Sequence, residues 1–360
     1  MIEPTYDRHP TTYLAGGLEV SRVEGNRYLA VFVHGLGGNA STYWGDLRKR
    51  LLEDTDLVGM DFAFWGYRSG GTLSLFRRTL LFPFRLIARL VMPGYSERLV
   101  TMIQGHEPSV SEIALTLATH LTGLFRYYEH IALFGHSLGG LVVQASIVTD
   151  LHMTETSGFD TIGERLRAVG LCATPTSGCE LADLASEFSL LFGENAQVEA
   201  LNRQSTDRAD IQRRFTSFIQ GAEQVRLSVW CAESDEVVTR AEVEEVFGSD
   251  SARTLVGTHS SCIRDAKALQ TNYGEISQWL LDDPGMARYL GHRLNSEADA
   301  GVRAWLAWAL RKIHSDEVKQ ILLHRLGVEQ VFYAKLAVKQ SIEEIEMRCS
   351  KECQREGQGV

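Results

Sequence analysis

Residues 130–148 read HIALFGHSLGGLVVQASIV, and this stretch decides the fold. His130 to Phe134 is a short apolar run of the kind that forms a buried strand. Gly135-His136-Ser137-Leu138-Gly139-Gly140 follows as a sharp turn, and Leu141 to Val148 begins a helix. Glycines two positions before and after Ser137 let a strand turn directly into a helix without side-chain clash. The serine hydroxyl is then exposed at the top of the turn. The helix that starts there also points its positive end at any negative charge developing on a group attacked by the serine. A five-residue G-x-S-x-G pattern is loose alone. A strand before it and a helix after it supply the context that a nucleophile requires, so Ser137 is predicted to be one.

Working outward, Tyr28–Val33 (YLAVFV) reads as a buried strand stopped by His34-Gly35-Leu36-Gly37-Gly38. Acyl transfer passes through an oxyanion that needs aimed N–H donors. The N–H of Leu138, directly after the serine, is the first predicted donor. The N–H of Leu36 is the second, with Gly37 as the alternative. Val58–Phe64, Arg167–Ala173, Val225–Cys231 and Arg253–Val256 read as further strands, and Leu18–Val23 as an antiparallel strand at the start. Ser41–Leu52 and Ser109–Tyr128 read as helices, the latter capped by Ser109 or Ser111. Nearly continuous apolar strands alternating with helices predict an α/β chain, with a mostly parallel central sheet covered by helices on both faces. Reactive loops in such sheets gather at the carboxyl ends of the strands.

A serine nucleophile of this kind is followed along the chain by an acid and then a histidine. The strand VRLSVWC ends in Ala232-Glu233-Ser234-Asp235-Glu236-Val237-Val238. Asp235 sits in the loop between two apolar anchors, where a carboxylate can orient an imidazole and stabilise its cation. Glu233 and Glu236 are its rivals. His259 is the only histidine between Asp235 and His292, and it follows the strand RTLV in Gly257-Thr258-His259-Ser260-Ser261. His34 and His136 flank the site but occupy the wrong parts of the motif for a general base. His292, His314 and His324 fall in the helical C-terminal region.

The chain has 360 residues, 44% hydrophobic and 23% charged, with a net charge of -10. These values suit a globular protein with a sizeable core and give no basic surface for nucleic acid. Six cysteines without a CxxC pair predict reduced thiols; Cys172 and Cys231 lie in apolar strands, and Cys349 and Cys353 are one helical turn apart with no further ligand nearby. No metal site is expected. The opening MIEPTYDRHPTTY lacks a basic flank and an apolar run, and no uninterrupted apolar stretch reaches about 18 residues. A cytoplasmic protein is expected, with one qualification. Residues 73–91, LSLFRRTLLFPFRLIARLV, project Arg77, Arg78, Arg85 and Arg89 into one sector opposite leucines and phenylalanines, with Pro83 dividing the stretch. This layout fits a lid or cap helix packed on the protein, a peripheral membrane contact, or both.

The domain organisation read from these patterns is 1–283 for the sheet-containing domain, with 72–108 as a lid or cap insertion, and 284–360 for a C-terminal helical extension. Val302–Ile313, Glu317–Leu326 and Val328–Cys353 read as helices there. Trp305, Leu306, Trp308 and Leu310 form an apolar stripe, either core packing or a contact with an oligomer mate or partner.

The combination HGLGG (34–38), GHSLGGLVV (135–143), ATPTSG (173–178), ESDEVV (233–238) and GTHSSC (257–262) resembles the lipase-like α/β-hydrolases of the SERAC and PGAP (GPI inositol-deacylase) type. The resemblance runs from about Tyr28 to Ala268. That group commonly carries Thr-Pro-His-x-Gly where this chain has Thr174-Pro175-Thr176-Ser177-Gly178. Ser137, Asp235 and His259 match its triad positions. The resemblance implies the α/β-hydrolase fold and ester hydrolysis, often on lipids, with no cofactor. The expectation is therefore a serine esterase or lipase acting on an ester or lipid substrate. The alternatives are an acyltransferase or thioesterase with the same triad, and a non-catalytic binding or signalling module.

Overall fold

In the computed structural model, the residues described are 9–14, 17–69, 108–157, 161–178, 197, 200, 205–313 and 315–357. The 73–91 segment anticipated as a lid lies outside them. Among the described residues eight strands form one sheet: β1 (His9–Leu14), β2 (Leu18–Arg22), β3 (Tyr28–Val33), β4 (Met60–Trp65), β5 (His130–His136), β6 (Leu166–Cys172), β7 (Arg226–Ser234) and β8 (Ala252–Thr258). Their spatial order is β1-β2-β4-β3-β5-β6-β7-β8. β2 pairs antiparallel with β1 and β4, and every pairing from β4 through β3 to β8 is parallel. With a strand–serine–helix turn after β5, this is the α/β-hydrolase fold.

The pleat of β3 shows how the sheet divides two cores. Leu29, Val31 and Val33 face one side, where they join Leu133, Ile113, Leu117, Val142 and Phe215. Tyr28, Ala30 and Phe32 face the other, with Phe134, Leu47, Trp230 and Trp279. Successive side chains of a strand point to opposite faces, so a strand covered on both must be apolar throughout. All six residues of β3 are buried.

Helices α1 (Gly45–Glu53), α2 (Val110–Thr119), α3 (Leu138–Ser157), α4 (Thr206–Gly221), α5 (Arg240–Phe247), α6 (Ser261–Arg264) and α7 (Leu269–Leu281) connect or flank the strands. α2 starts with a capping box: the Ser109 side chain accepts from the Glu112 N–H while Glu112 accepts from the Ser109 N–H. The helix expected to reach Tyr128 departs from regular α geometry at His120–Leu124, where a wide turn brings the His120 Nδ1 to 2.9 Å from Trp65 Nε1. The fourth strand begins at Met60 because Thr55–Leu57 forms a 3-10 turn capped by Asp54. The sequence patterns give no sign of β1, of helices α4, α5, α6 and α7, or of a further helix at Met286–Ser296. In α4 only Arg208 and Phe215 are buried, too few apolar positions for a clear helical stripe.

Among the described residues, four more helices follow: α8 (Met286–Ser296), α9 (Ala300–Leu310), α10 (Asp316–Val328) and α11 (Phe332–Gly357). Leu290, Leu294, Leu306, Leu310, Leu322 and Val338 belong to the same apolar cluster as Phe32 and Trp230. Leu306 and Leu310 of the aromatic stripe are thus core, while Trp305 and Trp308 meet edge to face at 4.6 Å. Among the described residues no helix is long and apolar enough to cross a membrane.

Glu329, between α10 and α11, ties this region together. Its carboxylate accepts from Arg303 Nε at 2.8 Å, from Arg325 at 2.6 Å and from the Val331 N–H at 3.0 Å. The hydrogen bond from Arg303 is the main reason its carboxyl is held down to about 2. The folded value lies below the ordinary one, so this stabilisation is present above about pH 4.5 and is lost as pH falls toward 2. Removing the charge leaves two arginines short of a partner. Glu329→Gln should therefore lower the unfolding free energy at pH 7 by about 3 kcal/mol. Urea titrations from pH 7 to pH 2 should show the wild type losing that advantage below about pH 4.5.

Candidate active site

The turn after β5 places Ser137 at φ 54°, one of two non-glycine residues in the left-handed region among those described. Such a conformation is strained for an L side chain and persists only when its surroundings hold it. Here the Ser137 N–H donates to the Cys172 carbonyl at 2.9 Å, and the Gly140 N–H donates to the Ser137 carbonyl at 2.9 Å. The motif glycines answer to close backbone approaches. A Cβ at Gly139 would sit 2.2 Å from the Val33 carbonyl oxygen and 2.5 Å from that of His34; one at Gly135 would sit 2.5 Å from the Gly140 Cα. The first turn of α3 is pressed onto the end of β3.

The three residues picked from the sequence converge. His259 Nε2 lies 2.9 Å from Ser137 Oγ, and His259 Nδ1 lies 3.0 and 3.1 Å from the two oxygens of Asp235. All three are buried side chains, with His259 and Asp235 each only 1% exposed. An ionised carboxylate only accepts, so Nδ1 carries the imidazole proton and Nε2 is left to accept from the serine hydroxyl. Asp235 Oδ1 also accepts from the Val237 and Val238 N–H groups at 2.9 and 3.0 Å. Burial alone would raise its pKa, but the hydrogen bond and charge interaction with His259 and these two N–H groups outweigh that and hold the carboxyl below its usual range. Glu233 and Glu236 are exposed.

The His259 loop is held from behind by Asn272 of α7. Its side chain accepts from the Val256 N–H at 2.9 Å and donates to the Val256 and Cys262 carbonyls at 2.8 Å each. Nothing in the sequence marked Asn272, because its role exists only where α7 meets the end of β8.

The loop after β3 carries Leu36 and Gly37, with Gly37 at φ 73°. Among the described residues, neither the Leu36 nor the Leu138 N–H has a hydrogen-bond acceptor. His34 anchors this loop through partners other than the serine. Its Nε2 accepts from the Tyr67 N–H at 3.2 Å, so Nδ1 is protonated and donates to the Gly35 carbonyl at 2.8 Å. The Tyr67 ring stacks on it at 4.3 Å. Burial pushes its pKa down to about 4. His136 is likewise bonded to other partners than the serine. Its ring lies near Cys172 and Cys262, whose ligand atoms come within 4.8 Å of one another. Both His136 nitrogens are engaged, by Tyr43 OH at 2.6 Å and the His259 carbonyl at 2.8 Å, so a metal ion there would have to displace one of them.

No family model matches the chain, and no curated protein matches it either. Among solved structures, the chain is similar to a lipase from Bacillus licheniformis at 16% identity, covering 74% of this chain and 98% of that one, with a TM-score of 0.41. It is similar to esterase B from Lactobacillus rhamnosis at 12% identity, covering 78% and 84%, with a TM-score of 0.44. A type II thioesterase from the borrelidin biosynthetic cluster matches at 16% identity, covering 75% and 97%, with a TM-score of 0.38.

The packing at Gly139 gives a direct check on the turn. Because both neighbours of an added Cβ are backbone oxygens, no rotamer change can relieve the overlap. Gly139→Ala should cost about 3 kcal/mol or more in stability, or prevent folding, as read by urea denaturation.

Proposed function

We propose that this chain is a serine hydrolase of carboxylic esters, with Ser137 as nucleophile, His259 as general base and Asp235 as the residue that orients it. The observation that carries the reading is the single imidazole held between Ser137 Oγ and the Asp235 carboxylate, beneath a serine whose backbone lies in the left-handed region. In this reading His259 Nε2 takes the hydroxyl proton as Oγ attacks the ester carbonyl. Asp235 stabilises the imidazolium. The oxyanion is held by the N–H groups of Leu36 and Leu138. The imidazolium then gives its proton to the departing alcohol, leaving an acyl-enzyme. Water, deprotonated by His259, attacks the acyl carbonyl and releases the acid and free Ser137.

The resemblance to SERAC- and PGAP-type lipases and the arginine-bearing apolar segment 73–91 favour lipid or long-chain acyl esters as substrates. Contact of that segment with a membrane surface is part of the same proposal and rests on the sequence alone.

The test combines fluorophosphonate labelling with hydrolysis of short- and long-chain p-nitrophenyl esters. Wild type should label and turn over, with a preference for longer chains. Ser137→Ala should lose labelling, with kcat reduced by about 10⁴-fold or more, and Asp235→Asn should reduce kcat by about 10³- to 10⁴-fold through the wrong tautomer of His259. A folded wild type that neither labels nor turns over, with anionic liposomes present or absent, would sink the proposal.

A further inference from the structure

We infer that Tyr43 and His136 are positioning residues for His259, forming a buried hydrogen-bonded path that ties the loop carrying Leu36 to the backbone of the histidine loop. This inference rests on the triad reading above. The path begins behind the nucleophile. The His136 ring has one nitrogen on each of two loops: Nδ1 is 2.6 Å from the Tyr43 hydroxyl, and Nε2 is 2.8 Å from the carbonyl oxygen of His259 itself.

The partners fix the protons. A carbonyl oxygen only accepts, so Nε2 must carry the hydrogen and donate to His259. A neutral imidazole then has a lone pair at Nδ1, so Tyr43 must donate its O–H there. Tyr43 itself lies in the loop between β3 and α1, the loop that carries Leu36. The Gly35 backbone lies close against the phenol: a Cβ there would be 2.5 Å from the Tyr43 hydroxyl. The path therefore runs from the Tyr43 hydroxyl, through the His136 ring, to the His259 carbonyl. It joins the loops at the carboxyl ends of β3, β5 and β8.

Burial keeps the path in one state. His136 is fully buried, and the loss of hydration, followed by the neighbouring His259, pushes its pKa down to about 3. It stays neutral over the range in which an ester hydrolase works, and a neutral ring is what permits Tyr43 to donate. The phenol is itself clamped, with the Arg264 guanidinium 5.3 Å above its ring and Trp44 edge-on at 5.4 Å.

The mechanical consequence is specific. His136 precedes Ser137 in the chain, and its ring holds the main chain of the residue whose imidazole receives the serine proton. One side chain thus sets the spacing of nucleophile and base. If Tyr43 stops donating, the ring can place its proton on Nδ1. A lone pair then faces the His259 carbonyl, and the histidine loop loses its tether. Errors of about 1 Å in such spacing reduce rates by up to about a hundredfold.

The experiment has two arms. In the first, Tyr43→Phe, His136→Gln and His136→Leu are assayed for kcat, KM and fluorophosphonate labelling rate, normalised to folded protein. Tyr43→Phe should lower kcat and labelling by about tenfold to a hundredfold with KM within about twofold of wild type. A glutamine amide nitrogen can occupy the place of Nε2 and donate to His259, so His136→Gln should keep kcat within about tenfold of wild type, with His136→Leu lower by a further tenfold or more. A role confined to packing would lower the melting temperature while leaving kcat of folded Tyr43→Phe within about twofold of wild type, and that result overturns the inference. The second arm needs no turnover and no variant. Long-range ¹⁵N–¹H spectra of the wild-type histidines should show one ring protonated at Nε2 and unprotonated at Nδ1 that does not titrate down to about pH 4, and this signal should change in Tyr43→Phe. If that ring carries its proton on Nδ1, the path does not exist. Absence of turnover in wild type would be the failure of the hydrolase reading, and the spectra would then decide the path by themselves.

Discussion

The contact between the first turn of α3 and the end of β3 is the constraint from which the rest of the site follows. Gly139 lies where any side chain would strike the carbonyl oxygens of Val33 and His34. Only a bare backbone lets the helix start that close to the sheet. That proximity turns the chain through a left-handed Ser137, leaves the Leu138 N–H at the helix start, and sets it beside the loop bearing Leu36. The strain at Ser137 is held by hydrogen bonds on both sides of it, from its own N–H to Cys172 and to its own carbonyl from Gly140. The core beneath, with Phe32, Phe134, Trp230 and Trp279 packed on one face of the sheet, gives those strand ends a rigid base.

Much of this was legible in the sequence because the signals were local. β3 has the bounds expected from YLAVFV, and β5 begins at His130 as expected, since runs of that apolar density bounded by glycine have few other solutions. Ser137, Asp235 and His259 could be picked by chain order and by their positions at strand ends, and their side chains lie within hydrogen-bonding distance of one another. Asp235 was separable from Glu233 and Glu236 only by its place in the loop. The structure supplies the physical reason, an aspartate turn in which Oδ1 takes the Val237 and Val238 N–H groups and so fixes the carboxylate.

What was not legible depended on distant pairings. Among the described residues β1 pairs with β2 alone, and its sequence, HPTTYL, has no buried-strand signature. α4 and α5 bury only one or two side chains each, so their periodicity is weak. Asn272 lies 16 residues from Val256 and 10 from Cys262, and its bonds to both carbonyls arise only once α7 packs beside β8. Tyr43 and His136 are 93 residues apart and could not be linked by any motif.

The three histidines near the serine show how one chemical group is given different roles by its partners. His34 faces a carbonyl and a backbone N–H; His136 faces a phenol and a carbonyl. Both are buried and neither hydrogen-bonds a carboxylate, so desolvation dominates and each remains neutral. His259 is buried as deeply but hydrogen-bonds Asp235, which supplies the counter-charge an imidazolium needs in a dry site. Closeness to the serine along the chain would pick the wrong ring, since His136 is adjacent to Ser137 and His259 is 122 residues from it; chain order after Asp235 is what marks His259. The difference lies in which ring nitrogen meets an acceptor, and in whether that acceptor bears a charge. Two neutral rings can hold loops over a wide range of pH because burial keeps their charge from changing.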